Sequence, residues 1–201
     1  ANPEISFKHT TRPWVQCKLL QSFRVTAPTS AFLNRMLRHP ADDAMVGVAG
    51  KGAKKPIYVV GNMSDGCGID AMIHELLQDY RPEQVAILAP SVNSSEYGCV
   101  RLAGMLADRL GIPLFTTHKQ RADVSDDLLR GKLLMSTYHQ SKGDERMAVV
   151  VLGCDRRQYR MDGDPVRDGY PIVRNALHVA CTRAREQLVL FHQYNVPAYP
   201  G

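Results

Sequence analysis

The sequence predicts an α/β fold built on a parallel sheet, and three observations carry that expectation. Apolar runs of strand length alternate with amphipathic helical stretches along most of the chain, the pattern of successive βαβ units. Residues 85–89, Val-Ala-Ile-Leu-Ala, are almost wholly apolar, as a central strand is when helices cover both of its faces. The apolar runs at 133–135 and 187–191 each meet a cluster of polar residues, the usual setting of sites in open parallel sheets.

Taken in order, residues 15–20 (Val-Gln-Cys-Lys-Leu-Leu) read as a short strand. Thr26 is placed to cap a helix with Pro28 in its first turn and Phe32, Leu33, Met36 and Leu37 at core-facing spacing. Arg24 then falls between a strand end and a helix start. Residues 39–55 are polar and glycine-rich and read as a loop. Gly50-Lys51-Gly52 within it is not a Walker A loop, which needs Gly, four residues, then Gly-Lys-Ser/Thr to wrap two phosphates and hold Mg2+. Met45 stands where the first glycine belongs and Gly52 where the hydroxyl belongs.

Residues 57–60 read as a strand and 68–78 as a helix with Ile69, Met72, Ile73, Leu76 and Leu77 on its apolar side. The central strand 85–89 comes next, then Pro90-Ser91-Val-Asn93, a helix over 97–110 closed by Gly111, and a strand at 112–115. A polar stretch over 116–130 leads to strands at 133–137 and 147–152. Residues 156–174 form a charged loop in which Asp162, Asp164 and Asp168 alternate with Arg157, Arg160 and Arg167, without the spacing or distal glutamate of a calcium loop. A helix with Leu177, Val179 and Ala180 on its apolar side brings Arg183 to the start of the strand 187–191, and 192–201 read as an extended exit.

With 201 residues the chain suffices for one well-buried domain. Its formal charge of +5 suits a polyanionic partner, although Lys and Arg are scattered. No run approaches the ~20 apolar residues of a membrane span. Five widely spaced cysteines (Cys17, Cys67, Cys99, Cys154 and Cys181), with no Cys-x-x-Cys, read as reduced thiols of an intracellular protein. His74, His118, His178 and His192 have no second ligand at metal spacing. The chain opens Ala-Asn-Pro-Glu with neither a leader nor an initiator Met, as expected of a piece of a larger protein.

Two segments carry the densest chemistry: Thr137-Tyr-His139-Gln-Ser-Lys142-Gly143-Asp-Glu145 and Val179-Ala-Cys-Thr182-Arg183-Ala184. They resemble motifs V and VI of the UvrD/Rep-like superfamily 1 helicases, written Thr-x-His-x-x-Lys-Gly-x-Glu and Val-Ala-x-Thr-Arg-Ala, in the same order. The surroundings of the first look most like helicases of large DNA viruses. Ser22-Phe23-Arg24 keeps the arginine of the family's Asn-Tyr-Arg-Ser/Thr motif but departs at the first two positions. Asp144 and Arg146 replace the apolar or aromatic residues usual beside Glu145.

The resemblance spans residues 15 to about 191. It implies that residues 1–201 are a single RecA-like C-terminal motor domain: a P-loop NTPase-type fold, with a parallel sheet flanked by helices, lacking its own P-loop. The few dozen residues between the strands at 85 and 133 imply no inserted accessory domain. Arg24 and Arg183 are then arginine fingers on the terminal phosphate of ATP, where such a group is worth roughly 10³ to 10⁵ in rate. Gly143 and Glu145 belong to the same nucleotide site, Glu145 accepting a hydrogen bond from the ribose. Ser91, Asn93, Thr137, His139 and Lys142 face single-stranded DNA. The Mg2+ of ATP is held mainly by an upstream RecA-like domain of the same polypeptide, without which the chain is inactive. Family membership implies DNA as the track, 3′ to 5′ movement, and a nuclear or cytoplasmic location, including that of a virus-infected host. Against this stand a non-hydrolysing nucleic-acid-binding module derived from a helicase, and an unrelated nucleotide-using α/β enzyme, for which no Gly-rich loop comes after a strand.

Overall fold

Strands that carry almost no polar residues must be covered on both faces, and the chain achieves this with helices on either side of one sheet. A computed structural model describes residues 20–37, 44–49, 53–62, 68–92, 99–117, 126–155, 166–167, 170–171 and 175–193. Strand β1 (Gln21–Thr26) leads into α1 (Ala27–Leu37), then β2 (Val46–Ala49), β3 (Ile57–Gly61), α2 (Ile69–Asp79) and β4 (Val85–Ala89). Next come α3 (Cys99–Leu110), β5 (Leu114–Thr116), α4 (Asp126–Leu129), β6 (Leu133–Thr137) and β7 (Arg146–Leu152). A short ladder of β8 (Val166–Arg167) and β9 (Tyr170–Pro171) precedes α5 (Asn175–Cys181) and β10 (Ala184–Gln193).

Six strands form one sheet in the order β3-β10-β7-β4-β6-β5, and every pairing in it is parallel. Alternate residues divide between its faces. Val85, Ile87 and Ala89 of β4, Val150 and Leu152 of β7, and Val189 and Phe191 of β10 pack with Ile69, Ile73 and Leu76 of α2 and Leu106 of α3. Ala86 and Leu88, Val149 and Val151, and Leu188 and Leu190 pack on the opposite face with Leu33 of α1 and Leu177, Ala180 and Cys181 of α5. This is the α/β fold with a helix-flanked parallel sheet that the sequence predicts, and it is consistent with a RecA-like architecture. Because all six strands point one way, their starts share one edge of the sheet and their ends the other.

Residues 138–145 link the end of β6 to the start of β7, so they cross from the carboxyl edge to the amino edge past the intervening β4. That is short for a parallel crossover. Tyr138 anchors its start: its amide donates to the Ala89 carbonyl at 3.0 Å and its hydroxyl to the Leu152 carbonyl. Gly143, at φ 88°, supplies the left-handed turn near its end.

The N-cap at Thr26 is present, its Oγ1 accepting the Thr29 amide at 3.4 Å. Of the strand expected over 15–20, all but Leu20 lies outside the described residues, and the first described strand is Gln21–Thr26. Arg24 is thus inside the strand. The loop expected over 39–55 contains β2, which pairs in parallel with β1. Its glycine disguises it: a Cβ at Gly47 would lie 2.4 Å from the Thr26 carbonyl oxygen, so close backbone approach excludes any side chain. Helix α1 holds this strand in place, Ser30 Oγ accepting the Gly47 amide at 3.0 Å and Asn34 bonding both the amide and the carbonyl of Met45. The charged loop 156–174 carries the β8–β9 ladder; Arg157, Arg160, Asp162, Asp164 and Asp168 lie outside the described residues, as does Lys51.

Candidate functional site at the amino edge of the sheet

Arg183 stands between α5 and β10, a junction that fixes its backbone from both sides. Its amide donates to the Ala180 carbonyl, and its carbonyl accepts the Arg146 amide, each at 3.1 Å. The side chain closes the end of the helix: Nε donates to the Val179 carbonyl at 2.9 Å and Nη2 to Thr182 Oγ1 at 3.2 Å. The residue is only 6% exposed. Among the described residues no carboxylate lies within ion-pair distance of it. A buried guanidinium without a close counterion is costly, and burial together with the charge of Arg24 pushes its pKa down, against the opposing pull of Glu145 and Asp144. Arg24 and Arg183 are therefore electrostatic neighbours although 159 positions apart in number.

Glu145 joins the same cluster from the end of the crossover. Its Oε1 lies 3.6 Å from Arg24 Nε and its Oε2 lies 3.9 Å from Arg185 Nε. Asp144 is taken by Arg146 at 2.7 Å. Three of the predicted residues, Arg24, Glu145 and Arg183, thus meet at the amino edge, with Gly143 exposed two positions before Glu145. A groove of about 330 Å³ opens from Glu145 and Arg185 along that edge toward Arg146, Arg81 and Arg130, the last two paired with Glu83 at 3.4 Å and Asp127 at 2.8 Å in the same groove. Sequence reading assigns no role to Arg81, Arg130, Arg146 or Arg185. They belong to separate stretches of chain, and only the parallel topology brings the starts of β4, β6, β7 and β10 together.

Ser91 and Thr137 lie at the opposite edge, and His139 and Lys142 on the crossover that leaves it. Thr137 ends β6 beside Ala89, the last residue of β4, and Ser91 stands two positions beyond that strand. Asn93 lies outside the described residues. Thr137 Oγ1 accepts the Gln140 amide and bonds Gln140 Oε1, both at 3.1 Å, while Thr117 Oγ1 is 2.9 Å from Gln140 Oε1 and from Ser136 Oγ. His139 and Lys142 are exposed on the same turn. The sequence sets both polar clusters where apolar strand runs end or begin. The structure puts Thr137 at the strand ends and Glu145 and Arg183 at the strand starts, with residues 138–145 joining the two.

A larger apolar cavity, about 410 Å³, lies between α1, α5 and β3 and is lined by Phe32, Met36, Tyr58, Leu177 and Leu190. It is remote in chemistry from the arginine cluster: of its described lining residues only Arg35 is charged. No helix among the described residues is long and apolar enough to cross a membrane.

Fold and site together define the class: a parallel α/β domain whose amino edge gathers arginines and carboxylates from separate stretches of the chain. Among solved structures, the C-terminal domain of a possible DNA helicase from Lactobacillus plantarum WCFS1 shares the fold, with a TM-score of 0.57 and 21% sequence identity over 88% of this chain and 90% of that one. No protein-family model and no curated protein matches the chain.

Proposed function

We propose that the chain is the second RecA-like motor domain of an ATP-dependent superfamily 1 DNA helicase of the UvrD/Rep type, of the kind large DNA viruses carry. The observation behind this reading is the Arg24–Glu145 ion pair at the sheet edge that also carries Arg183, the latter buried with no close carboxylate among the described residues. A guanidinium has five N–H donors, and among the described residues Val179 and Thr182 engage two of those of Arg183. The rest remain for an oxyanion. The fold shared with the C-terminal domain of a possible DNA helicase supports the same reading.

Phosphoryl transfer to water depends on neutralising charge that develops on the terminal phosphate, which is work for fixed cations more than for covalent chemistry. In this account ATP sits between an upstream RecA-like domain, which holds the Mg2+ and most of the triphosphate, and the amino edge of this sheet. Arg183 is rigid because its helix end fixes it. Arg24 is half-exposed and exchanges its weak pairing with Glu145 for the phosphate. Glu145 accepts a hydrogen bond from the ribose, with Gly143 permitting the turn that delivers it. At the other edge Lys142 and the Thr137 hydroxyl meet backbone phosphates of single-stranded DNA, His139 meets a base, and Ser91 and Asn93 extend the track. Residues 138–145 connect the two sites, so closure on ATP at one edge shifts the DNA contacts at the other.

The test is ATP-dependent unwinding, by the full polypeptide, of a duplex bearing a single-stranded tail. Unwinding that requires hydrolysable ATP supports the reading. Tight DNA binding with no turnover and no response to nucleotide would overturn it in favour of a non-hydrolysing module.

A further inference from the structure

Arg185 has no part in the proposed hydrolysis, yet it faces one of the two oxygens of Glu145, at 3.9 Å from Oε2, while Arg24 faces the other at 3.6 Å. One carboxylate is therefore shared by guanidiniums from β10 and β1, and the two respond differently to an arriving anion. Arg24 stands beside Arg183, where like charges repel, so a polyphosphate is a better counterion for it than a single carboxylate. Glu145 then loses one cation just as negative phosphate comes near. Unheld, it would be driven away from the site. Arg185 lies at the start of β10, where Ala184 pairs with Arg146, and it lines the groove on the side of Glu145 away from that exchange.

We propose that Arg185 is a positioning residue that keeps Glu145 in place against the incoming phosphates, so that its carboxylate can select for a ribose hydroxyl. This rests on Glu145 being a nucleotide contact, as in the proposed function. The experiment compares kcat/KM for ATP and for 2′,3′-dideoxy-ATP in the full polypeptide and its variants. Wild type prefers ATP, and Arg185→Ala reduces that preference about two- to fivefold, the scale of one solvent-screened ion pair, with the change carried by KM rather than kcat. Arg185→Lys, which keeps the positive charge, restores most of it. A preference lost in Glu145→Ala but kept in Arg185→Ala overturns the positioning role alone. A preference kept in both overturns the ribose contact of Glu145 itself, and the role of Arg185 with it.

Discussion

Arg24 in β1 and Glu145, the residue before β7, form an ion pair, Nε to Oε1 at 3.6 Å, that ties the small β1–β2 ladder to the amino edge of the main sheet. The side chains are 41% and 33% exposed, so solvent screens the attraction and the pair contributes at most about 1 kcal/mol. Arg24→Ala should therefore leave the urea midpoint almost unchanged. A large drop in ATP turnover in that variant then reads as chemistry rather than unfolding.

Gly47 should tolerate no side chain. A Cβ there meets the Thr26 and Val25 carbonyl oxygens at 2.4 and 2.5 Å, and backbone atoms cannot swing aside as a flexible side chain does. Gly47→Ala should cost about 1–3 kcal/mol in denaturant unfolding and displace β1, weakening any contact made by Arg24.

Ile87, fully buried at the middle of the central strand, should behave as a core residue. Ile87→Ala should cost about 2–5 kcal/mol. Val60→Ala on the sheet's edge strand, where the side chain is largely exposed, should stay within about 0.5 kcal/mol.

Alkaline pH should destabilise the fold through its buried thiols. Burial pushes Cys181 from 9.0 up to about 12, and pushes Cys154 up as well. Their folded pKa values lie above the unfolded ones, so the stabilisation is full below pH 9 and is lost as pH rises from 9 toward 12. Cys181→Ala should flatten the fall in urea midpoint over that range. In the native protein both thiols should resist a thiol-specific reagent until the chain unfolds.

How far the sequence is legible depends on where each residue's surroundings come from. Val85–Ala89 and Met147–Leu152 announce themselves because a doubly covered strand needs apolar residues throughout. Thr26 announces the helix it caps. Strand Gln21–Thr26 is hard to read because its exposed Gln21, Phe23 and Arg24 reflect a peripheral ladder rather than a core. Strand β2 is hidden by Gly47 and by valines that face solvent. Glu145 and Arg183 stand out through the spacing of their neighbours. Arg185, two residues further on, does not, since its importance comes from Glu145, forty positions earlier, and nothing local signals that contact.

The most direct test of the account is Arg183→Ala in the full polypeptide, with single-stranded DNA affinity and single-turnover ATP hydrolysis measured on the same preparation. We expect hydrolysis to fall by roughly 10³ or more while DNA affinity changes little and the protein stays folded, its thermal midpoint lowered by the lost bonds to Val179 and Thr182. Hydrolysis within a few-fold of wild type in a folded protein would contradict it.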